Sequence, residues 1–366
     1  MTWGSSLKLS VFGESHGPAI GAVLEGLPAG EEISLNDVLV QMSRRAPGRD
    51  ISSTPRKESD TPQILSGLLE NRTTGAPLCA VIANTNTHSS DYSDLQNIPR
   101  PGHADYPAHV RYGGWNDVRG GGRFSGRLTA PLVFAGAVCS QILKRRGITV
   151  GAHVLSIHGV WDTPFDPVTV SAHLLEDLSA RYFPTIAPAA EAAMRTEIEA
   201  ARKNCNSVGG VVECAAVGLP AGIGGPLSEG LESSLSSLIF AVPACKGVEF
   251  GAGFSAAGMF GSENNDPYYF DGSTVKTRTN NAGGILGGIS TGMPLIFRAA
   301  FKPTPSIGIE QDSVNLASGT NAKLIVHGRH DPCIVPRAVP AAEAAACVAL
   351  LDALLPTAVF LGGNSK

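Results

Sequence analysis

Strand-like stretches follow one another along this chain without a helix between each pair, and that order constrains the fold more than any other feature. Leu7 to Phe12 alternates as a half-buried strand does, and Ile20 to Leu24 offers a partner across the polar turn Gly13-Glu14-Ser15-His16-Gly17. Pro77 to Ala83, Ile148 to Ile157, Val208 to Val217, Leu295 to Phe301 and Lys323 to Val326 read as further strands. Between Gly247 and Lys302 the pattern turns to short strands punctuated by glycine. The helices come singly. Ser34, with Asp37 three residues on, opens one that runs to about Arg45 and stops at Pro47-Gly48. Leu128 to Arg146 ends in three basic residues before Gly147, as the negative end of a helix dipole favours. Ala189 to Lys203 follows Pro188, Leu231, Leu235, Leu238 and Ile239 share one helical face, and Ala341 to Leu355 forms the last helix. Strand runs broken by single helices predict an α+β fold rather than a doubly wound sheet. No polar linker divides the chain and no internal repeat is visible, so residues 1–366 are expected to form a single large domain with a long internal insertion.

Hydrophobic residues make up 43% of the 366 and charged residues only 16%, which predicts a compact, strongly buried and oligomeric protein. A net charge of -4 gives no reason to expect nucleic acid, so the partner should be small. The seven cysteines include no CxxC pair and no histidine lies at zinc-ligand spacing; they read as free cytosolic thiols, and no metal site is expected. The start of the chain lacks a secretory pattern. Ala341 to Leu355 is too short to span a membrane and holds Glu343 and Asp352, so no membrane segment is expected.

Against that acidic background, Arg100 to Thr129 gathers five arginines, two histidines and the run Gly120-Gly121-Gly122. Arginine forks match phosphate and carboxylate oxygens, and consecutive glycines let a backbone approach an oxyanion, so this stretch reads as an anion site. A surface loop with solvated arginines is the plain alternative. Arg44 to Lys57 is a second positive cluster, with five basic residues against Asp50. His16 sits between glycines at a strand end beside Glu14 and Ser15, where a carboxylate and a hydroxyl can tune an imidazole; His103 lies two residues from Asp105, which can fix its tautomer. The glycine-dense Asn280 to Gly292 matches neither a P-loop nor a Rossmann fingerprint. It suits either a close-approaching ligand or a tight strand pair packed through glycine. Lys302 to Ser306 sets a cation and two hydroxyls on a stiff turn, and Gly328 to Cys333 adds a cation, an imidazole and a carboxylate.

Taken together, FGESHG (12–17), RPGHADY (100–106), RGGGRxSxRxT (119–129), KGVEFG (246–251), NNAGGILGGISTGMP (280–294), KPT (302–304) and GRHDPCIVPRAVPAAEA (328–344) resemble the chorismate synthase family, in order and over nearly the whole chain. The resemblance implies a β-α-β sandwich of antiparallel sheets with helices, in a cytoplasmic homotetramer. It implies a shikimate-pathway lyase that makes chorismate by anti-1,4-elimination of phosphate from 5-enolpyruvylshikimate 3-phosphate. Reduced FMN is required without net redox change, and NADPH enters at most as an indirect reductant through an external donor. By position, His16 would protonate the departing phosphate and His103 would sit near the flavin pyrimidine edge. Asp331, with Ser15 as relay, would manage the flavin N5 proton. Substrate contacts carry over to Arg45, Arg49, Arg123, Arg127 and Arg329. Flavin contacts carry over to Arg123, Ser125, Ala244, Gly287, Lys302, Pro303, Thr304, Pro305, Ser306 and Arg329.

Phe124, Pro243 and Pro305 depart from the commoner family pattern, and each removes one hydroxyl or amide, which predicts weaker flavin affinity. Ile51 takes the place of the family's second basic position in its loop, with Arg49 as the substitute. Two other readings stay open: a flavoprotein reductase that consumes NADPH steadily, and a non-catalytic phosphometabolite-binding protein.

Overall fold

The computed structural model describes residues 2–48, 60–85, 96–326 and 331–357. Strands β1 (Thr2–Trp3), β2 (Lys8–Gly13) and β3 (Ala19–Glu25) lead to α1 (Leu35–Arg45). After β4 (Gln63–Ser66), β5 (Leu68–Leu69), β6 (Arg72–Thr73) and β7 (Leu78–Ala83) come α2 (Asp105–Tyr112) and α3 (Thr129–Lys144). Next follow β8 (Thr149–Ile157), β9 (Val160–Trp161), α4 (Ala172–Ser179), α5 (Pro188–Lys203), β10 (Gly210–Val217), α6 (Leu231–Ala241) and β11 (Cys245–Phe250). A short α7 (Gly261–Asn264) precedes β12 (Tyr268–Asp271), β13 (Thr274–Thr277), β14 (Ile285–Leu286), β15 (Ile289–Ser290) and β16 (Leu295–Phe301). The last elements are β17 (Gln311–Asn315), β18 (Thr320–Leu324) and α8 (Val335–Leu354).

Two helices are apolar on nearly every face and have to be enclosed. In α3, 13 of 16 residues are buried, and in α8, 17 of 20. They lie against each other between two five-stranded antiparallel sheets: β1-β2-β3-β7-β4 packs on α3 and β11-β16-β10-β8-β9 packs on α8. This is the β-α-β sandwich, in one domain. The close crossing depends on small residues, since a Cβ on Gly136 of α3 would lie 2.2 Å from the Cα of Ala344 in α8. The second sheet is covered on its other side by α4 and α5, so most of β8 is buried.

Local signals read in the sequence are met by local contacts. The Ser34 side chain accepts from the Asp37 N–H at 3.2 Å, and Pro188 occupies the first turn of α5. Three expectations need correction. The last helix begins at Val335, not Ala341, because Pro336 lies in the first turn, where a missing N–H costs nothing, and burial carries the helix through Pro340. It is therefore 20 residues long rather than too short to span, but it also carries Arg337. The described helical run apolar enough to cross a membrane, Gly126–Lys144, is the one enclosed by the sandwich. Finally, Arg44 does not join a positive cluster. It turns into the core and pairs with Glu343, whose Oε1 also accepts the Ala152 N–H at 2.9 Å.

Candidate active site

The β2–β3 hairpin brings the Ser15-His16 turn to one end of the sandwich, and the loop before α3 crosses it. Gly120, Gly121 and Gly122 all have positive φ (59°, 84° and 52°). A Cβ on Gly120 would lie 2.1 Å from His16 Cε1, and one on Gly121 would lie 3.0 Å from His103 Nε2. The glycine run is thus the seat of both histidines. Its carbonyls also take part, with the Ser15 N–H donating to Gly122 O at 3.1 Å. Gly120 also lines the cavity described next, so this packing role stands beside the expected anion site.

Beside the seat opens a cavity of about 680 Å³. Its wall holds Ser15, His103 and Asp331, and seven cations: Arg45, Arg100, Arg123, Arg127, Lys246, Lys302 and Arg337. Asp331 is the sole carboxylate among the described lining residues. The carboxylates that balance the arginines stand behind them. Asp105 accepts from Arg100 Nε at 2.7 Å and lies 2.5 Å from His103 Nδ1, which donates to it and leaves Nε2 toward Gly121. Burial alone would raise the Asp105 carboxyl, but Arg100 and His103 outweigh it and hold it far below the usual carboxylate range. Asp331 Oδ2 accepts from Arg337 Nη1 at 2.6 Å, and Arg337 Nε donates to the Arg45 carbonyl at 2.9 Å. Burial, and then the neighbouring Lys246 cation, push the Lys302 ammonium below its ordinary value. Such a lysine gains from a bound anion.

Of the expected site residues, Ser15, Arg45, His103, Arg123, Ser125, Arg127, Ala244, Lys302, Thr304, Pro305, Ser306 and Asp331 share this wall. His16 stands one layer back, buried against Gly120. Pro303 carries the chain between two wall residues without lining the wall itself. Gly287 does not join them: it lies at the exposed tip of the β14–β15 hairpin, where the glycines serve the tight strand pair. Arg49, Arg329 and Ile51 lie outside the described residues. Phe124, Pro243 and Pro305, the three departures, all face the cavity.

Sequence reasoning did not assign Arg100, Lys246 or Arg337, although each lies inside a quoted motif. It also missed Asp60. That residue precedes β4 and is fully buried, accepting from Arg45 and ion-paired to Arg127. Burial would raise its carboxyl, but the two guanidiniums prevail and hold it below the ordinary range. Nothing local marks such a residue. Of the five arginines that begin at Arg100, Arg111 is exposed and Arg119 pairs with Asp117 at 2.8 Å, so only three serve the cavity.

A family model described as chorismate synthase matches residues 7–355. Among curated relatives, the chorismate synthase of Dehalococcoides mccartyi is 44% identical over 359 residues, covering 98% of this chain and 97% of that one. That of Thermococcus kodakarensis is 46% identical over 352 residues, covering 96% and 97%. That of Lancefieldella parvula is 47% identical, covering 96% of each. A crystal structure of chorismate synthase superposes with a TM-score of 0.74 at 28% identity, covering 96% of this chain and 93% of that one.

Proposed function

The chain belongs to the chorismate synthase family and is a lyase of aromatic amino-acid biosynthesis, and from that premise we propose how its residues carry the reaction. The observation that carries the proposal is the single cavity whose wall joins seven cations to Ser15, His103 and Asp331. The substrate, 5-enolpyruvylshikimate 3-phosphate, brings a phosphate and two carboxylates, and FMN brings a second phosphate. Guanidinium forks from Arg123 and Arg127 meet the substrate anions, each such charge-assisted contact contributing about 1.5–3 kcal/mol, and Arg45, whose side chain is buried on Asp60, adds its charge from behind. The flavin phosphate suits Lys302, Thr304 and Ser306. The crowded cationic neighbourhood of Lys302 and the left-handed backbone of Ala244 (φ 72°) support that fit. When bound, reduced flavin supplies electron density to the elimination and recovers it, so no net redox change results.

The chain's own groups then handle protons and charge. To His16 falls the protonation of the leaving phosphate, whose expulsion as a dianion is slow, and from one layer behind the wall its ring reaches the cavity past Gly120. Its burial against Gly120 fixes the ring and keeps bulk water from it. His103, oriented by Asp105, is placed to meet the flavin pyrimidine edge. Asp331 takes up and returns a proton at its carboxylate, with the Ser15 hydroxyl as relay. We further assign residues 1–366 to one catalytic domain, supported by a core that is continuous from Leu7 to Leu354. A cytoplasmic homotetramer, with flavin reduced by an outside donor and NADPH only its indirect source, completes the reading. Exposed Phe254 (85%), Phe260 (76%) and Phe270 (78%) support self-association.

The test is anaerobic incubation with photoreduced FMN and the enolpyruvyl phosphate, following phosphate release and product absorbance. Turnover without net flavin oxidation is expected. Folded protein that releases no phosphate, or that consumes NADPH steadily instead, defeats this account.

A further inference from the structure

Two cavity arginines arrive from different elements, Arg45 from the end of α1 and Arg127 from the turn before α3, yet they lie almost fully buried around one carboxylate. Arg45 donates to Asp60 Oδ2 from Nε at 3.1 Å and from Nη2 at 2.5 Å, and Arg127 Nη1 donates to Oδ1. The Asp60 side chain is 0% exposed and does not line the cavity. Its φ of 46° is unusual for a residue other than glycine, so the chain bends out of its ordinary range to put the carboxylate there. From the other side, Asn84 Oδ1 accepts from Arg127 Nε at 3.1 Å. The same amide donates from Nδ2 to the carbonyls of Glu14 and Gly17, each at 2.9 Å. Those carbonyls bracket Ser15 and His16. Like Asp60, Asn84 lies outside the cavity wall.

We infer that Asp60 and Asn84 form a brace of positioning residues that holds Arg127 toward the bound anion with the Arg45 charge directly behind it, and ties Arg127 to the turn carrying His16. Side by side in a weakly screening interior, two guanidiniums repel, and a shared acceptor offsets that repulsion. Asp60 supplies that acceptor. Asn84 then sets the anion-binding arginine and the proton donor in one register, because a single rigid amide holds both. The inference rests on the functional reading above, in which the cavity takes the triply acidic substrate.

The opposing view is that Asp60 only neutralises buried charge, and the two views differ in sign. Asp60→Asn removes a negative charge beside a cavity that binds an anion, so simple neutralisation predicts an unchanged or lower KM. The brace predicts a KM raised about tenfold or more with a smaller change in kcat, the signature of lost ground-state and transition-state binding alike. Asn84 separates the two arms. Asn84→Asp keeps the acceptor for Arg127 but loses the donors to Glu14 and Gly17, so kcat should fall about tenfold and its pH profile shift, while the added carboxylate raises KM by its charge alone. Asn84→Ala loses both arms and should raise KM as well. Steady-state turnover of the full chain with reduced FMN, alongside thermal melting, reads all of these. An unchanged or lower KM for Asp60→Asn, or a wild-type kcat for Asn84→Asp, overturns the brace. If Asp60→Asn does not fold, the Asn84 pair decides. A wild-type chain without turnover sinks the functional reading and the brace with it; an active wild type beside an indifferent Asp60→Asn sinks the brace alone.

Discussion

Replacing Gly120 with alanine tests the histidine seat directly. The new Cβ would stand 2.1 Å from His16 Cε1, 2.2 Å from Nδ1 and 2.9 Å from Ser15 Oγ, where ordinary contact begins near 3.4 Å. The imidazole must therefore retreat by about 1.3 Å, from 2.1 Å to 3.4 Å. It has little room, because its turn is pinned by the Gly17 N–H to Glu14 carbonyl bond at 3.1 Å and by Asn84. Alanine at φ 59° adds a backbone cost of about 1–2 kcal/mol. That loss is a modest part of the roughly 5–15 kcal/mol that holds a domain together, so the variant should fold. A displacement of about 1 Å at a reacting group lowers turnover on the order of 100-fold, equivalent to about 2.7 kcal/mol of barrier. Gly147→Ala is the matched control, since Gly147 has φ 77° and nothing within 4 Å of a built Cβ. Both variants should bear the backbone cost in thermal melts, with Gly120→Ala lower still by its clash with His16, whereas only Gly120→Ala should lose kcat in the anaerobic assay. A Gly120→Ala enzyme within about threefold of Gly147→Ala in kcat would refute the seat, since the expected loss is on the order of 100-fold.

Three further outcomes follow from the same geometry. Glu343→Gln leaves the Arg44 guanidinium buried without its counter-charge, so denaturant unfolding should show a loss of about 3–5 kcal/mol; a loss under about 1 kcal/mol would contradict the core pairing. His153 is 0% exposed with Asp162 Oδ2 and Glu213 Oε2 each 3.1 Å from its two ring nitrogens, which requires the charged imidazolium. Burial opposes that charge, but the two carboxylates prevail and raise its pKa, so its stabilisation is complete below about pH 6.5 and is lost as pH rises through the raised value. The melting temperature of the wild type should accordingly fall on the alkaline side more steeply than that of His153→Gln, and parallel curves would argue against a charged His153. Phe124→Ser should tighten FMN binding by about 0.5–1.5 kcal/mol in a flavin-fluorescence titration, because the side chain faces the cavity; an unchanged Kd would show that the family hydroxyl makes no such bond here.

Local chemistry is what the sequence by itself determined. The β2–β3 hairpin, the Ser34 cap and the proline at the head of α5 depend on residues within a few positions of one another, so propensity and spacing suffice to find them. The ordered motifs likewise located most of the cavity wall, from Ser15 to Asp331. Direction was decided only by the tertiary structure. Arg44 and Arg45 are neighbours, yet the first enters the core to meet Glu343 and the second reaches the cavity, because consecutive helical side chains point about 100° apart. Asp60 pairs with Arg45 across 15 residues and with Arg127 across 67, and no pattern along the chain can announce such a partner. The glycines of 120–122 were legible as special, but the reason was not. At Gly122 the obstacle is the nearby Asp117 carbonyl, but at Gly120 and Gly121 it is a pair of imidazoles delivered by the Ser15-His16 turn and by the loop before α2, and steric exclusion between distant segments exists only once the chain has folded.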